Sequence, residues 1–220
     1  MADGRVERGN QTRRTVLERT MSIASVDGLE GLSLGKIASD LGLSKSGVFA
    51  LFGSKEDLQL ATVRAAVDVF VEQVVRPVRK EPAGVAKVWR LCEYWLDYSR
   101  RRVFPGGCFF YAASAEFDSR PGPVHDEIAK ARSDWTRYVE RHLDEARLAG
   151  EFRDGTDPSE VPQLAFEIIA LMELANAHSV LHEEPTAYER AGRGILDRLR
   201  AVAATPAELP DRPQPVNSPT

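Results

Sequence analysis

The chain has 220 residues, 43% hydrophobic, 28% charged and 8% aromatic, with a net charge of −4. This is the composition of a globular chain of one large or two small domains; it excludes collagen-like, disulfide-stapled and wholly disordered classes. The apolar runs fall short of the ~18 residues that span a bilayer, and no apolar stretch follows Met1 as in a secretory leader. The expected location is therefore the cytoplasm, with no membrane partner. Cys92 and Cys108 lack CxxC spacing and read as buried thiols. Residues 1–55 carry eight basic against six acidic residues, and the remainder 21 against 27. A mildly basic head on an acidic body permits a small nucleic-acid contact at one end.

Apolar residues recur at 3.6-residue spacing, and period-2 alternation is absent, so the chain reads as all-α with about nine helices. Residues 1–11 are polar and read as a flexible arm. A helix from about Arg13 to Val26 is stopped by Asp27-Gly28 and Gly31. Ser33 is placed to cap a short helix, Leu34 to Leu41, which Gly42 ends. Ser44 is placed to cap the next, Lys45 to about Phe52, which Gly53 ends. Ser54 and Asp57 make a box-like start for a long helix towards Arg76, where Pro77 ends or kinks it. Helices are expected over 85–103, 108–117 and 124–148. Asp157-Pro158-Ser159-Glu160 starts another, reaching about Leu181, and the last covers about 186–202. From Thr205 onward repeated prolines predict a disordered, non-helical tail. The implied domains are an arm (1–11), a head (12–54), a helical body (55–204) and a tail (205–220).

The head is the informative part. Two short helices joined at Gly42-Leu43-Ser44 have helix-turn-helix geometry, in which the second helix enters the DNA major groove by its N-terminal end. That end is Ser44-Lys45-Ser46-Gly47, small, polar or cationic. Lys45 can meet a guanine edge or a phosphate, Ser44 and Ser46 can donate to phosphate oxygens, and Ala50 can touch a thymine methyl. Lys55 opposes the macrodipole of the following helix, a conflict that a phosphate beside Ser54 and Lys55 would resolve.

The run from Leu43 to Leu58, LSKSGVFALFGSKEDL, resembles the TetR family of bacterial transcriptional regulators. Gly28, Ser33, Ile37 and Ala38 fall in the same register. The resemblance covers roughly residues 13–60. It implies a dimeric regulator, expected to be a repressor, that binds a near-palindromic double-stranded DNA operator. It also implies phosphate or minor-groove contacts from Arg13 and Arg14, and adds Ser33 to the DNA-facing set. The family's usual Tyr is Phe49 here, and Ala50 and Leu51 replace its aromatic or polar residue and His, so polar readout rests chiefly on Lys45 and Ser46.

The resemblance further implies a body that dimerises through its last two helices and holds an unidentified small-molecule effector. Independently, residues 164–175 are apolar on more than one side, and a helix of that kind must bury both. Phe166, Ile169, Leu174 and Leu181, with Ile195 and Leu199 on the last helix, are the candidate dimer residues. Candidate pocket aromatics are Trp89, Trp95, Phe109, Phe110, Phe117, Trp135 and Tyr138. Met172 joins them, and Glu116 and Asn176 would supply fixed polar groups. No catalytic, metal or cofactor site is expected. Gly31-Leu32-Ser33-Leu34-Gly35 matches G-x-S-x-G without the strand that a nucleophile elbow needs. His178 and His182 lack the Glu of H-E-x-x-H. The alternative reading is an all-α ligand-binding protein or enzyme with a vestigial DNA-binding head.

Overall fold

Among the described residues, 3–213 with side chains from residue 7, the computed structural model contains nine α-helices and no β-strand. They are α1 (Asp3–Asp27), α2 (Leu34–Asp40), α3 (Lys45–Phe52), α4 (Lys55–Phe70), α5 (Val85–Arg100), α6 (Phe109–Phe117), α7 (Pro123–Leu148), α8 (Glu160–Leu181) and α9 (Thr186–Val202). One isolated antiparallel bridge pairs Phe152 with Ala203.

The chain divides into two compact units. One comprises residues 1–69 and 104–131, the other 70–103 and 132–220. This division does not fall at residue 54: the first unit takes in α6 and the start of α7 as well as the head.

The first unit is built on the apolar faces of α1–α4. Val16, Leu29, Ile37, Val48, Leu58 and Val63 are fully enclosed. Across the α1–α4 contact, the Thr62 hydroxyl donates to Thr20 Oγ1 at 2.9 Å, so neither buried hydroxyl lacks a partner. Phe109, Phe110 and Phe117 of α6 are buried, and Phe109 packs on Phe104 and Phe110 at 5.5 and 5.4 Å.

The second unit is centred on α5, α8 and α9. Leu91, Leu164, Ile168, Met172, Ile195 and Leu199 are enclosed there. Rings form a chain through it: Trp95 meets Tyr98 at 6.4 Å, Tyr98 meets Phe70 at 5.5 Å, and Phe70 meets Trp135 at 5.0 Å. Trp135 stacks on Tyr138 at 6.2 Å, and Tyr138 meets His142 edge-on at 4.5 Å. A polar network joins α5, α8 and α9 inside this apolar setting. The Ser99 hydroxyl lies 2.9 Å from both Asn176 Oδ1 and Tyr188 Oη. The Arg102 guanidinium donates to Tyr188 Oη at 3.1 Å and to Ser179 O at 2.8 Å.

Several expectations are corrected. α1 begins by Asp3, not near Arg13. Residues 3–12 show no apolar period, yet their two glycines weaken a helix by only about 1 kcal/mol each and do not forbid it. The Ser33 side chain makes no capping bond. The helix expected to run to Arg76 turns into a π turn at Val71–Val75 and a 3-10 turn at Arg76–Val78. Pro77 has no N–H for the carbonyl four residues back, so the regular ladder cannot continue. The start of the tail is not irregular throughout: Pro206–Glu208 is a 3-10 turn, Leu209 is buried, and Arg200 donates to the Pro210 carbonyl. The expectation for residues 214–220, like that for 1–2, lies outside the described residues.

α8 is 22 residues long and by length and composition alone passes as a membrane span. Its Leu164, Ile168 and Met172 instead fill the core of the second unit. Its Glu167 and Glu173 are paired with Arg198 and Arg132.

Candidate nucleic-acid interface

The reading helix is fixed by its ends. Ser44 takes an extended backbone, and its Oγ accepts the Gly47 N–H at 3.0 Å. A Cβ at residue 47 would sit 2.9 Å from that oxygen, so the cap favours glycine there. Gly42 (φ +64°) and Gly53 (φ +79°) hold left-handed backbone at the turn before α3 and at its end. Val48 and Phe52 face inward.

That leaves Lys45, Ser46, Gly47, Phe49 and Ala50 exposed along one edge. The Lys45 stem passes Gly35 of α2, where an added Cβ would meet Lys45 Cδ and Cε at 3.9 Å, an ordinary contact. Among the described residues Lys45 has no ion-pair partner, so its ammonium is available to an external anion. Phe49 is 55% exposed, an expensive position for a phenyl ring with nothing to cover it. Ser46 Oγ donates to Ser44 Oγ at 3.3 Å, a long bond that a phosphate oxygen can replace.

The other candidates are placed differently from one another. Arg13 is turned inward: its Nη1 donates to the Leu51 carbonyl at 2.8 Å, and its guanidinium lies 4.4 Å from the Phe52 ring centroid. It satisfies a carbonyl near the C-terminal end of α3 and orients that helix. Arg14 is exposed, as is Ser33. Lys55 Nζ is engaged by Glu30, at 2.7 Å from its carbonyl and 3.0 Å from its carboxylate. The Ser54 hydroxyl bonds Asp57 Oδ2 at 2.6 Å while accepting the Asp57 N–H at 3.0 Å. The start of α4 thus meets anions of the protein itself, Glu30 from the turn before α2 and its own Asp57, where the sequence pointed to a phosphate.

Sequence reasoning missed what steadies the turn before α2. Glu116 of α6, expected among the polar groups of a pocket, is instead a clamp. Its carboxylate accepts the N–H groups of Leu29 and Glu30 at 2.7 and 2.9 Å. It lies under Gly28 (φ +80°), where a Cβ would come within 2.7 Å of it. From the other side Gln59 Nε2 donates to the Leu29 carbonyl at 2.9 Å and to the Glu30 carboxylate at 3.2 Å. Hydrogen bonds from Lys55 and then Gln59 hold the Glu30 carboxyl below its ordinary pKa. The clue in the sequence was Glu116 within an otherwise apolar and small run, FFYAASAEF, and its partner could not be read from spacing.

The remaining pocket candidates separate. Phe109, Phe110 and Phe117 belong to the core of the first unit; Trp89, Trp95, Trp135, Tyr138, Met172 and Asn176 lie in the second. Of the dimer candidates, Phe166, Leu174 and Leu181 are 70%, 56% and 77% exposed. They share one face of α8 with Ala170 and Ala177. Ile169 is buried in its own unit and does not join that face. Ile195 and Leu199 are fully enclosed in the core of their own unit, so they cannot face a second copy. The last helix is amphipathic, and the sequence did not reveal which partner its apolar face meets.

Comparison with known proteins agrees with this geometry. A family profile described as bacterial regulatory proteins of the tetR family matches residues 16–62. A profile described as a tetracyclin repressor-like C-terminal domain matches residues 84–195, half of the chain. No curated protein matches. Among solved structures, a TetR transcriptional regulator from Chloroflexus aurantiacus is similar at TM-score 0.78 and 24% identity, over 86% of this chain and 94% of that one. A TetR-family regulator from Cytophaga hutchinsonii gives 0.76 at 20% identity, over 90% and 97%. AibR, solved in complex with isovaleryl coenzyme A and operator DNA, gives 0.64 at 19% identity, over 83% and 95%. At these identities the structures speak for the fold, and the two profiles speak for the family. The chain belongs to the TetR family of bacterial regulatory proteins and is a DNA-binding transcriptional regulator, not an enzyme.

Proposed function

We propose that this regulator is a dimeric repressor that reads a near-palindromic operator with α3 and is released from it by a small-molecule effector. The observation that carries the reading is the exposed edge of α3: Lys45, without an ion-pair partner among the described residues, beside Ser46, Gly47, Phe49 and Ala50 on a capped, inward-anchored helix. Lys45 and Ser46 supply polar readout, while Phe49 and Ala50 offer apolar contact to thymine methyl groups. Arg14, Ser33 and Ser44 serve the phosphate backbone. Lys55 joins them by exchanging Glu30 for phosphate, and Arg13 acts by orienting α3.

Dimerisation is supported by the apolar face of α8. An exposed row of Phe166, Leu174 and Leu181 loses its contact with water when a second copy packs on it. Two heads then address half-sites one or more helical turns apart. The effector is placed among the rings of the second unit, Trp95, Trp135 and Tyr138, with Trp89, Met172 and Asn176 contributing. Release requires it to bind one conformation of the body more tightly than the other. A protein that works on chromosomal DNA belongs in the cytoplasm.

Selection from a random duplex pool, followed by binding at several salt concentrations, tests the reading. The expected result is an inverted repeat. Lys45→Ala should lose sequence preference, whereas Lys55→Ala should weaken binding evenly and flatten the salt dependence by about one charge. A pool with no enriched sequence, bound only weakly at low salt, overturns it and favours a ligand-binding protein with an unused head.

A further inference from the structure

Between α5 and α9 the second unit carries a partly open cavity of about 330 Å³, within the size range of small-molecule sites. Trp89, Glu93 and Asp97 of α5 and Tyr188 of α9 line it, and all four are more than nine-tenths buried. Of the residues placed with the effector above, Trp89 alone lines this cavity.

The charges decide what fits. Glu93 is already met by Arg90 at 2.8 Å. Asp97 is met by Arg100 at 2.8 Å and Arg101 at 2.5 Å. The buried carboxylates therefore come with their own cations and have little to offer another. The groups left over are donors. Exposed Arg193 and Arg212 line the cavity and, among the described residues, have no ion-pair partner. The Trp89 Nε1–H is buried without an acceptor, and an indole nitrogen can only donate. Against these stands one exposed acid, Glu189. The apolar remainder of the lining is Leu96 and Pro213 with the indole of Trp89.

Arg212 reaches the site because residues 209–213 are seated. Leu209 is buried, Arg200 donates to the Pro210 carbonyl, and Pro213 rests on Gly192 of α9. A Cβ at Gly192 would lie 2.6 Å from Pro213 Cγ, so that seat exists only because residue 192 is glycine. Residues 209–213 form a strap that completes one wall of the cavity.

We propose that the α5–α9 cavity binds a small organic carboxylate with a flat apolar body, and that the C-terminal strap closes over it and supplies Arg212. Guanidinium groups match carboxylate geometry in a two-pronged way that ammonium does not. The apolar walls take the body of the ligand.

The test uses the full chain, free of DNA, so that its outcome is independent of operator reading. Benzoate, benzamide and benzylamine serve as anionic, neutral and cationic probes of one size, titrated by ligand-observed magnetic resonance. Benzoate is expected to bind at least about tenfold more tightly than the other two, a preference of the size that paired guanidinium–carboxylate bonds supply. The double variant Arg193→Ala/Arg212→Ala should lose that preference while keeping its circular dichroism spectrum. Gly192→Val should weaken benzoate with both arginines present. Should that variant unfold, Pro213→Gly tests the strap without entering α9. Benzoate binding no better than benzamide, a preference that survives the double variant, or tighter binding of benzylamine overturns the carboxylate site. Benzoate affinity unchanged in the strap variants overturns the role of the strap.

Discussion

The division of labour around α3 is clearest in two neighbouring arginines. Arg13 and Arg14 differ by about 100° around α1, and that turn separates their roles. Arg13→Ala leaves the Leu51 carbonyl without its donor and uncovers the Phe52 ring. It should cost about 1–3 kcal/mol of stability, as a lost charge-assisted hydrogen bond does. Arg14→Ala should leave the unfolding midpoint in place and weaken DNA binding alone. Denaturant titration of both variants, with DNA affinity measured alongside, separates them; equal stability for the two would show that the Arg13 bond does not orient α3. Glu116 belongs to the same class of residue. Glu116→Ala strands two N–H groups beneath a left-handed Gly28, and a loss of about 1–3 kcal/mol is expected. Glu116→Gln keeps one acceptor oxygen and should lose less. If alanine and glutamine behave alike, the clamp contributes nothing.

At the scale of elements, the sequence revealed helices through apolar period and caps, and it failed where neither operates. Lys45–Phe52 and Thr186–Val202 stand where predicted, because Ser44 and Gly53 mark the one and a strong amphipathic period marks the other. The first turns of α1 are polar on every side and so gave no signal. Contacts between elements distant in sequence were equally hidden: nothing near Glu116 points to residues 28–30, and nothing near Ile195 says which neighbour it faces. Pro105-Gly106-Gly107 has the residues of a turn, but nothing in the sequence shows why position 106 must be glycine. A Cβ there would fall 1.7 Å from the Ser25 carbonyl oxygen, on the backbone near the end of α1. No side chain can move aside, so Gly106→Ala must shift one of the two segments. A cost of at least about 2 kcal/mol is expected, in the range of overpacked sites. The face of α8 makes the opposite case. Leu174→Glu replaces an exposed side chain and should leave the protomer folded, yet light scattering should report a monomer and operator affinity should fall with it. A folded dimer in that variant would place the interface elsewhere.

For the whole molecule, acid is the condition to which the fold is most exposed, and the direction can be worked out group by group. Burial holds the His142 imidazole below its ordinary value of 6.5. Glu145, bonded to Nδ1 at 2.7 Å, favours the charged form, whereas Lys87 of α5 and the adjacent Arg141 oppose it. The Nε2 atom is buried without a partner, so a second proton would enter a site that offers it no acceptor. As pH falls below 6.5 the unfolded chain takes up this proton first. Stability contributed by neutral His142 is therefore complete above 6.5 and is lost as pH falls towards the folded value. Glu30, Glu167, Glu184 and Asp157 are also held below their ordinary values. The strongest causes in turn are hydrogen bonds from the Lys55, Gln163 and Thr186 side chains and from the Ser159 N–H. Their contributions persist above the carboxylate range and are lost as pH falls through it; all four are solvent-screened and individually small. Both sets act in the same direction, so thermal unfolding midpoints should decline in two steps, one beginning near pH 6.5 and one in the carboxylate range. In His142→Gln the upper step should disappear and the lower one remain. An upper step that persists in this variant would assign it to another group, and midpoints that rise on acidification would reverse the sign of the argument.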